Sequence, residues 1–299
     1  RTRRTSMTQT VEKRVVVAAA TPSGINIEYE AAPRRLYRVR RGSEEWREAV
    51  SVTTSLDCLN KAGLPWWGMQ QGVEGFIELV NRNFILASES GLWAMGEHQW
   101  EAATVKNVVP LLTKNKLTVN HVRDKAGDRG QTVHDALEKW VEDRTMPVPE
   151  FYPETEQGYV RGLLAFLGDL GEVKTAEGEV MVASVEHLFA GRYDLEAVLH
   201  ESNLVTKIAS PGGKRAEVRQ TFSGRTLLDL KTSKGVYTTH HLQLAAYEGA
   251  RLECGYPKTQ QQLVVHVSDD GTYEAVPSRA TFEDFLAVLA VYNTVERIG

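Results

Sequence analysis

Residues 226–235 read TLLDLKTSKG, an apolar run closed by polar residues and a glycine. That pattern predicts a short strand. Side chains alternate along a strand, so Asp229 and Lys231 share one face while Leu230 turns the other way, into the core. A carboxylate and an ammonium thus meet on one side of a sheet. An isolated D-x-K is ordinarily a solvated ion pair, so the weight of this one depends on what surrounds it.

Downstream, THHLQLAAYEGARLEC (239–254) has helical character and stops at Gly255 and Pro257. Gln243 and Tyr247 lie four apart on it and share a face, where a polar edge on a core helix is the ordinary account. QLVVHVS (262–268) reads as a strand. FEDFLAVLAVYNTVERI (282–298) reads as a last helix, begun by Thr281 with acidic residues in its first turn.

Upstream, EVMVASVEHLF (179–189) and YDLEAVLH (193–200) read as strands, the second following a break at Gly191. Helices are expected over 154–170 and from about 119 to 142. Apolar spacing at Phe76, Leu79 and Val80, and at Trp100, Ala103, Val108 and Leu111, predicts further amphipathic helices. Pro65 opens one with Trp66 and Trp67 in its first turn, and Thr53, Thr54 and Ser55 supply caps for a helical stretch over 51–59. VVVAAA (15–20) and INIEYE (25–30) are short strands, followed by Arg34, Arg35, Arg38, Arg40 and Arg41. The whole is an α/β fold, a helical front half and a back half built on a central mixed sheet flanked by helices. Residues 1–13 form a tail, 14–120 a strand and helical region, and 121–299 the core, with 45–120 packing against it as one unit.

Three further residues stand out. Asp194 begins the otherwise apolar strand in AGRYDLEAVL, where a charge is costly without a partner. An aspartate capping a turn near Gly191 is one account. Two carboxylates on neighbouring strands are another, because they make a hard-oxygen site suited to Mg²⁺ or Mn²⁺. His134, in GQTVHDALEKW, sits on a helix whose Val133, Leu137 and Trp140 point to the core. A lone helix histidine is usually just packed there.

Taken in order, Gly130-x-x-x-His134-x-x-Leu137-Glu138, Gly191-x-x-Asp194, Asp229-Leu230-Lys231-Thr232 and Gln243-x-x-x-Tyr247 resemble the RecB-type branch of the PD-(D/E)XK nuclease superfamily. The likeness covers about 130–250 and extends to Ser51–Trp67, which resembles the family's N-terminal helix. It implies a restriction-endonuclease-like core and a metal-dependent DNA nuclease. By that resemblance one or two Mg²⁺ or Mn²⁺ ions are held by His134, Asp194, Asp229 and the Leu230 backbone carbonyl. Lys231 orients or deprotonates the attacking water, and Gln243 and Tyr247 brace the site and contact the strand being cut. Glu186 is a supporting candidate, though an exposed strand glutamate is the simpler expectation.

The interval between Asp194 and Asp229 is longer than the family's usual hairpin. It carries Lys207, Lys214, Arg215, Arg219 and Arg225 around Pro211-Gly212-Gly213 and is read as an inserted hairpin or loop that grips the DNA backbone, or else as a solvated loop. Trp66 and Trp67 are candidates to stack on unpaired bases.

Composition narrows the rest. The chain of 299 residues is 42% hydrophobic with a net charge of -4, so phosphate contacts must come from local clusters. Cys58 and Cys254 are its two cysteines, which excludes the four-cysteine iron-sulfur cluster of the CRISPR-associated relatives. No apolar run is long enough to span a membrane, and RTRRTSM is not followed by a secretory core, so a soluble cytoplasmic protein is expected, in a bacterial cell or in the host of a phage. Met7 is a candidate native start. No phosphate loop, dinucleotide fingerprint or GxSxG elbow occurs, so any unwinding comes from a partner.

The resemblance leads to an exonuclease that trims DNA ends in recombination, repair or phage replication, with a single-strand annealing protein or a helicase as a compatible partner and an oligomer allowed. An endonuclease or nickase of the same fold is the alternative. A non-catalytic DNA-binding protein on a decayed nuclease fold is the contrasting class, and retention of His134, Asp194, Asp229 and Lys231 argues against it.

Overall fold

A computed structural model describes residues 16–31, 36–59, 64–88, 91–96, 99–209 and 215–298. In chain order its elements are β1 (Val16–Ala20), β2 (Ile25–Glu30), β3 (Leu36–Arg41), β4 (Arg47–Ser51), α1 (Val52–Ser55), α2 (Leu64–Asn81), β5 (Ile85–Ser88), β6 (Gly91–Met95), β7 (Trp100–Ala102), α3 (Val105–Lys114), α4 (Val119–Asp143), α5 (Glu154–Leu170), β8 (Val173–Ser184), β9 (Phe189–Ala209), β10 (Arg215–Lys231), α6 (Thr238–Glu253), β11 (Gln261–Val267), β12 (Tyr273–Pro277) and α7 (Phe282–Ile298).

Nine strands join in one mixed sheet, ordered β1-β2-β3-β4-β9-β10-β11-β12 with β8 also on β9. The β4–β9 and β10–β11 pairs are parallel and the others antiparallel. Alternation along the central strands divides the core between two faces. Leu227 and Val264 pack with Tyr247, Phe285 and Leu289 of α6 and α7. Leu228, Leu230, Leu263 and Val265 pack with Val133, Leu137, Trp140 and Phe166 of α4 and α5. Helices therefore cover both faces, as an α/β core requires.

Strand β9 organises the site. One of its edges is taken by β8, from Phe189 to Leu199. The other is shared, since β4 pairs with Phe189 and Ala190 while β10 pairs with β9 from Leu195 onward. β4 then leaves as α1, and β10 ends at Lys231. Between them the edge of β9 from Gly191 to Asp194 carries no strand pairing. A gap of this kind, where two strands depart from a third, is where α/β sheets open a crevice.

Several sequence expectations are corrected. The front half carries the helices α2, α3 and α4 but more strand than expected: β1–β4 extend the sheet, and β5, β6 and β7 form a separate three-stranded antiparallel sheet. The Trp100–Leu111 spacing matched a helical period, yet Trp100 lies on β7 and helix α3 starts at Val105. EVMVASVEHLF is not one strand, because β8 ends at Ser184 and a turn precedes β9. Gly191 is no break, since β9 runs through it. Ser51, rather than Thr53, Thr54 or Ser55, caps α1, accepting the Thr54 N–H at 3.0 Å. The 194–229 interval is one long hairpin of β9 and β10 with an irregularity at Phe222–Gly224. The last helix coincides with its expected span, and Thr281 and Asp284 cap it reciprocally. No helix among the described residues is long and apolar enough to cross a membrane.

Candidate metal centre

Asp194 sits at the gap in the β9 edge. Its Oδ2 accepts the Leu230 N–H at 2.7 Å, a donor that would otherwise pair with a neighbouring strand. Its Oδ1 stands 3.3 Å from His134 Nδ1. The helix bearing His134 comes this close because β8 has glycine at 178: a Cβ there would lie 3.2 Å from the Asp194 carbonyl and 3.3 Å from Val141 of α4.

Asp229 and Lys231 leave the same face of β10, as alternation requires, with Lys231 Nζ 2.5 Å from Asp229 Oδ2. Asp229 is fully buried, and its Oδ1 has no hydrogen-bond partner among the described residues. Burial, with Asp194's charge adding to it, pushes the Asp229 carboxyl up to about 6 despite Lys231. Burial also works against an ionised Asp194, but His134, Lys231 and the Leu230 N–H outweigh it and hold that carboxyl below the ordinary range. Burial disfavours charge on His134 and on Lys231 too, yet the neighbouring carboxylates raise both. The four groups thus form one electrostatic unit.

Gln243 Nε2 donates to the Tyr247 hydroxyl at 2.7 Å, so the expected pair on α6 does form. Tyr247 is buried, and burial beside Asp229 raises its phenol well above the usual value. A Cβ at Gly191 would fall 2.6 Å from Tyr247 Cε1. The glycine of the Gly191-x-x-Asp194 motif is there for that close approach. A cavity of about 230 Å³ opens over the gap, walled by His134, Gln131, Asp194, Tyr247 and, from the front half, Tyr37 and Ser51.

The structure adds a residue that the sequence reading missed. Glu179 on β8 joins His134 and Asp194, each offering a ligating atom within 4.8 Å of the others. The register that sets Gly178 opposite Leu195 and Val180 opposite Tyr193 puts it across from Asp194. Its backbone is left-handed, φ 55°, a conformation uncommon for a non-glycine residue and worth an explanation. The sequence signal was slight: one more acid in the stretch EGEVMVAS. Glu186, the acid singled out nearby, lies in the turn after β8 with its side chain 76% exposed and takes no part. Asp229 lies outside the 4.8 Å group, so of the three expected side-chain ligands the structure brings His134 and Asp194 into immediate ligating range. Leu230 meets Asp194 through its N–H.

The donor set suits a hard divalent cation. It comprises carboxylate oxygens and one imidazole nitrogen, with a further carboxylate oxygen, Asp229 Oδ1, buried and unpaired beside them.

The cations of the long hairpin are engaged elsewhere. Lys207 and Arg215 both pair with Glu274, Arg219 pairs with Asp169 at 2.9 Å, and Arg225 pairs with buried Glu196. Lys214 and the Pro211-Gly212-Gly213 turn lie outside the described residues, as do Arg34 and Arg35. Arg38 meets Glu28 and Glu30, Arg41 meets Glu253, and Arg40 stacks on Trp46. Trp66 is 62% exposed and Trp67 half-buried.

No family model matches the chain, and no curated protein does. Among solved structures, one described as "Crystal structure of SSO0001" aligns at 16% identity over 54% of this chain and 84% of that one, with a TM-score of 0.22, a likeness too slight to carry an argument.

Proposed function

We propose that this chain is a metal-dependent DNA nuclease of the RecB-type PD-(D/E)XK branch, acting as an exonuclease on DNA ends with Mg²⁺ or Mn²⁺. The observation that carries the reading is Asp229, a carboxylate without exposed surface, paired with Lys231 from the same strand face and coupled to Asp194 and His134. Burying a carboxylate costs several kcal/mol unless charge compensates it, and one ion pair leaves its Oδ1 unmet. A cation site explains why that oxygen is kept.

His134, Glu179 and Asp194 would hold the ion, and the unpaired Asp229 Oδ1 would offer it a further oxygen. When bound, the ion supplies the acidification of a water and the polarisation of a phosphoryl oxygen. Lys231 remains charged beside its two carboxylates, which favours orienting the water and offsetting charge on the phosphorane oxygens over taking the proton itself. Tyr247 stays a neutral phenol fixed by Gln243 and by the glycine gap. It positions the site's wall rather than titrating.

With Lys207, Arg215, Arg219 and Arg225 engaged internally, substrate contact is assigned to the cavity rim. The test is digestion of end-labelled linear DNA and of covalently closed circles with Mg²⁺, Mn²⁺ or chelator. Loss of linear DNA alone, stopped by chelator, supports the exonuclease. Nicking of the circle assigns the endonuclease alternative, and cleavage in chelator rejects a metal mechanism.

A further inference from the structure

Arg192 lies two residues before Asp194 on β9, so both project toward the same cavity, and it lines that cavity. Its Nε is 2.5 Å from Glu179 Oε2, while half of its side chain remains exposed. Glu179 is in the opposite condition: its carboxylate is mostly covered, faces His134 and Asp194, and is raised by burial and by Asp194's charge against the pull of Arg192. Were this only a cross-strand surface pair, Glu179 would have no reason to crowd a second carboxylate or to adopt a left-handed backbone.

The charges around the gap explain the arrangement. Of the groups in ion pairs or ligating range at the gap, three carboxylates, Glu179, Asp194 and Asp229, face two fixed cations, Lys231 and Arg192, leaving one negative charge without His134, and exposed Glu138 of α4 adds to the negative field at Glu179. A divalent cation converts that deficit into one surplus positive charge. One phosphodiester carries the charge that cancels it.

We propose that Glu179 is a ligand of the ion that exchanges Arg192 for it, and that Arg192, released, binds the phosphodiester of the substrate. The inference rests on the nuclease reading above and adds to it a coupling: the guanidinium is screened by Glu179 until the cation arrives. Ion loading and phosphate capture then become sequential. Arginine suits the task because its planar fork grips phosphate oxygens in pairs and cannot be neutralised by deprotonation.

The test uses Mn²⁺ alone, by titration calorimetry on the full chain, and then a short single-stranded oligonucleotide in Ca²⁺. Glu179→Gln is expected to weaken Mn²⁺ binding about tenfold or more, with Glu179→Asp intermediate. Arg192→Gln is expected to keep or tighten Mn²⁺ binding, since the competing cation is gone, and to lose about tenfold in oligonucleotide affinity with Ca²⁺ present but little without it. Unfolding curves identify any variant that fails to fold, and in that case the Glu179→Asp result decides. Mn²⁺ affinity unchanged in both Glu179 variants, or weakened in Arg192→Gln, overturns the proposal. If Asp194→Asn abolishes Mn²⁺ binding while the Glu179 variants do not alter it, only this inference fails. If the parent protein binds no Mn²⁺, the nuclease reading fails with it.

Discussion

Asp194 Oδ2 accepts the Leu230 N–H at 2.7 Å, a side chain standing in for a rung of the ladder where β9 and β10 part. The same carboxylate reaches His134 through its other oxygen. One residue therefore closes the sheet and begins the proposed cation site. Replacing Asp194 should act on both. In Asp194→Ala the orphaned Leu230 donor should cost about 1–3 kcal/mol of stability, whereas Asp194→Asn, which keeps an acceptor, should cost less. Both should lower cleavage about a thousandfold, the scale set by losing several kcal/mol of charge stabilisation. Denaturant melts beside a DNA digestion assay separate the two effects.

The pH dependence of ion binding follows from Asp229. Its carboxyl is raised to about 6 in the folded, ion-free protein, so the proton is held there more tightly than in an unfolded chain. A cation needs the ionised form and must displace that proton. Mn²⁺ affinity should fall as the pH drops, first as His134, raised above its ordinary value by the carboxylates, takes up its proton, and then by more than tenfold for each unit below about pH 6 as Asp229 also does. Calorimetry at a series of pH values checks this, and an affinity that is flat down to pH 5 would remove Asp229 from the site.

Gly191 and Gly168 make a controlled comparison. A methyl at Gly191 meets Tyr247 Cε1 at 2.6 Å, while one at Gly168, within α5, meets nothing within 4 Å. Gly191→Ala should lose about 1–3 kcal/mol through overpacking and impair cleavage by displacing Tyr247. Gly168→Ala should gain about 0.4–1 kcal/mol. Thermal melts of the two variants provide the check.

Neutralising Lys207, Arg215 and Arg219 should leave the salt dependence of DNA binding nearly unchanged, because each already has an acidic partner in Glu274 or Asp169. A slope that flattens by about one unit per residue removed would return the hairpin to the DNA interface.

The strand at 226–231 and the helices at 119–143 and 282–298 were legible because their periodicity is strong and agrees with burial on one side. Asp229, Lys231 and the inward turn of Leu230 followed from strand alternation alone. The missing parts are of another kind. Glu179 is recruited by cross-strand register, and no spacing along the chain encodes which acid on β8 faces Asp194. The ion pairs of Lys207, Arg215 and Arg219 involve Glu274 and Asp169, residues far away in sequence, and Arg225 pairs with Glu196 on the neighbouring strand, so these four cations looked free when they were not. The β5–β7 sheet escaped because Trp100, Ala103, Val108 and Leu111 fit a helical period across a real boundary at Thr104.

The most direct test of the central claim is the rate at which Lys231→Ala protein degrades end-labelled linear DNA in Mg²⁺. With the ammonium gone from beside Asp229, cleavage should drop about 100- to 1,000-fold while Mn²⁺ still binds. A variant that cuts as fast as the parent would contradict the mechanism.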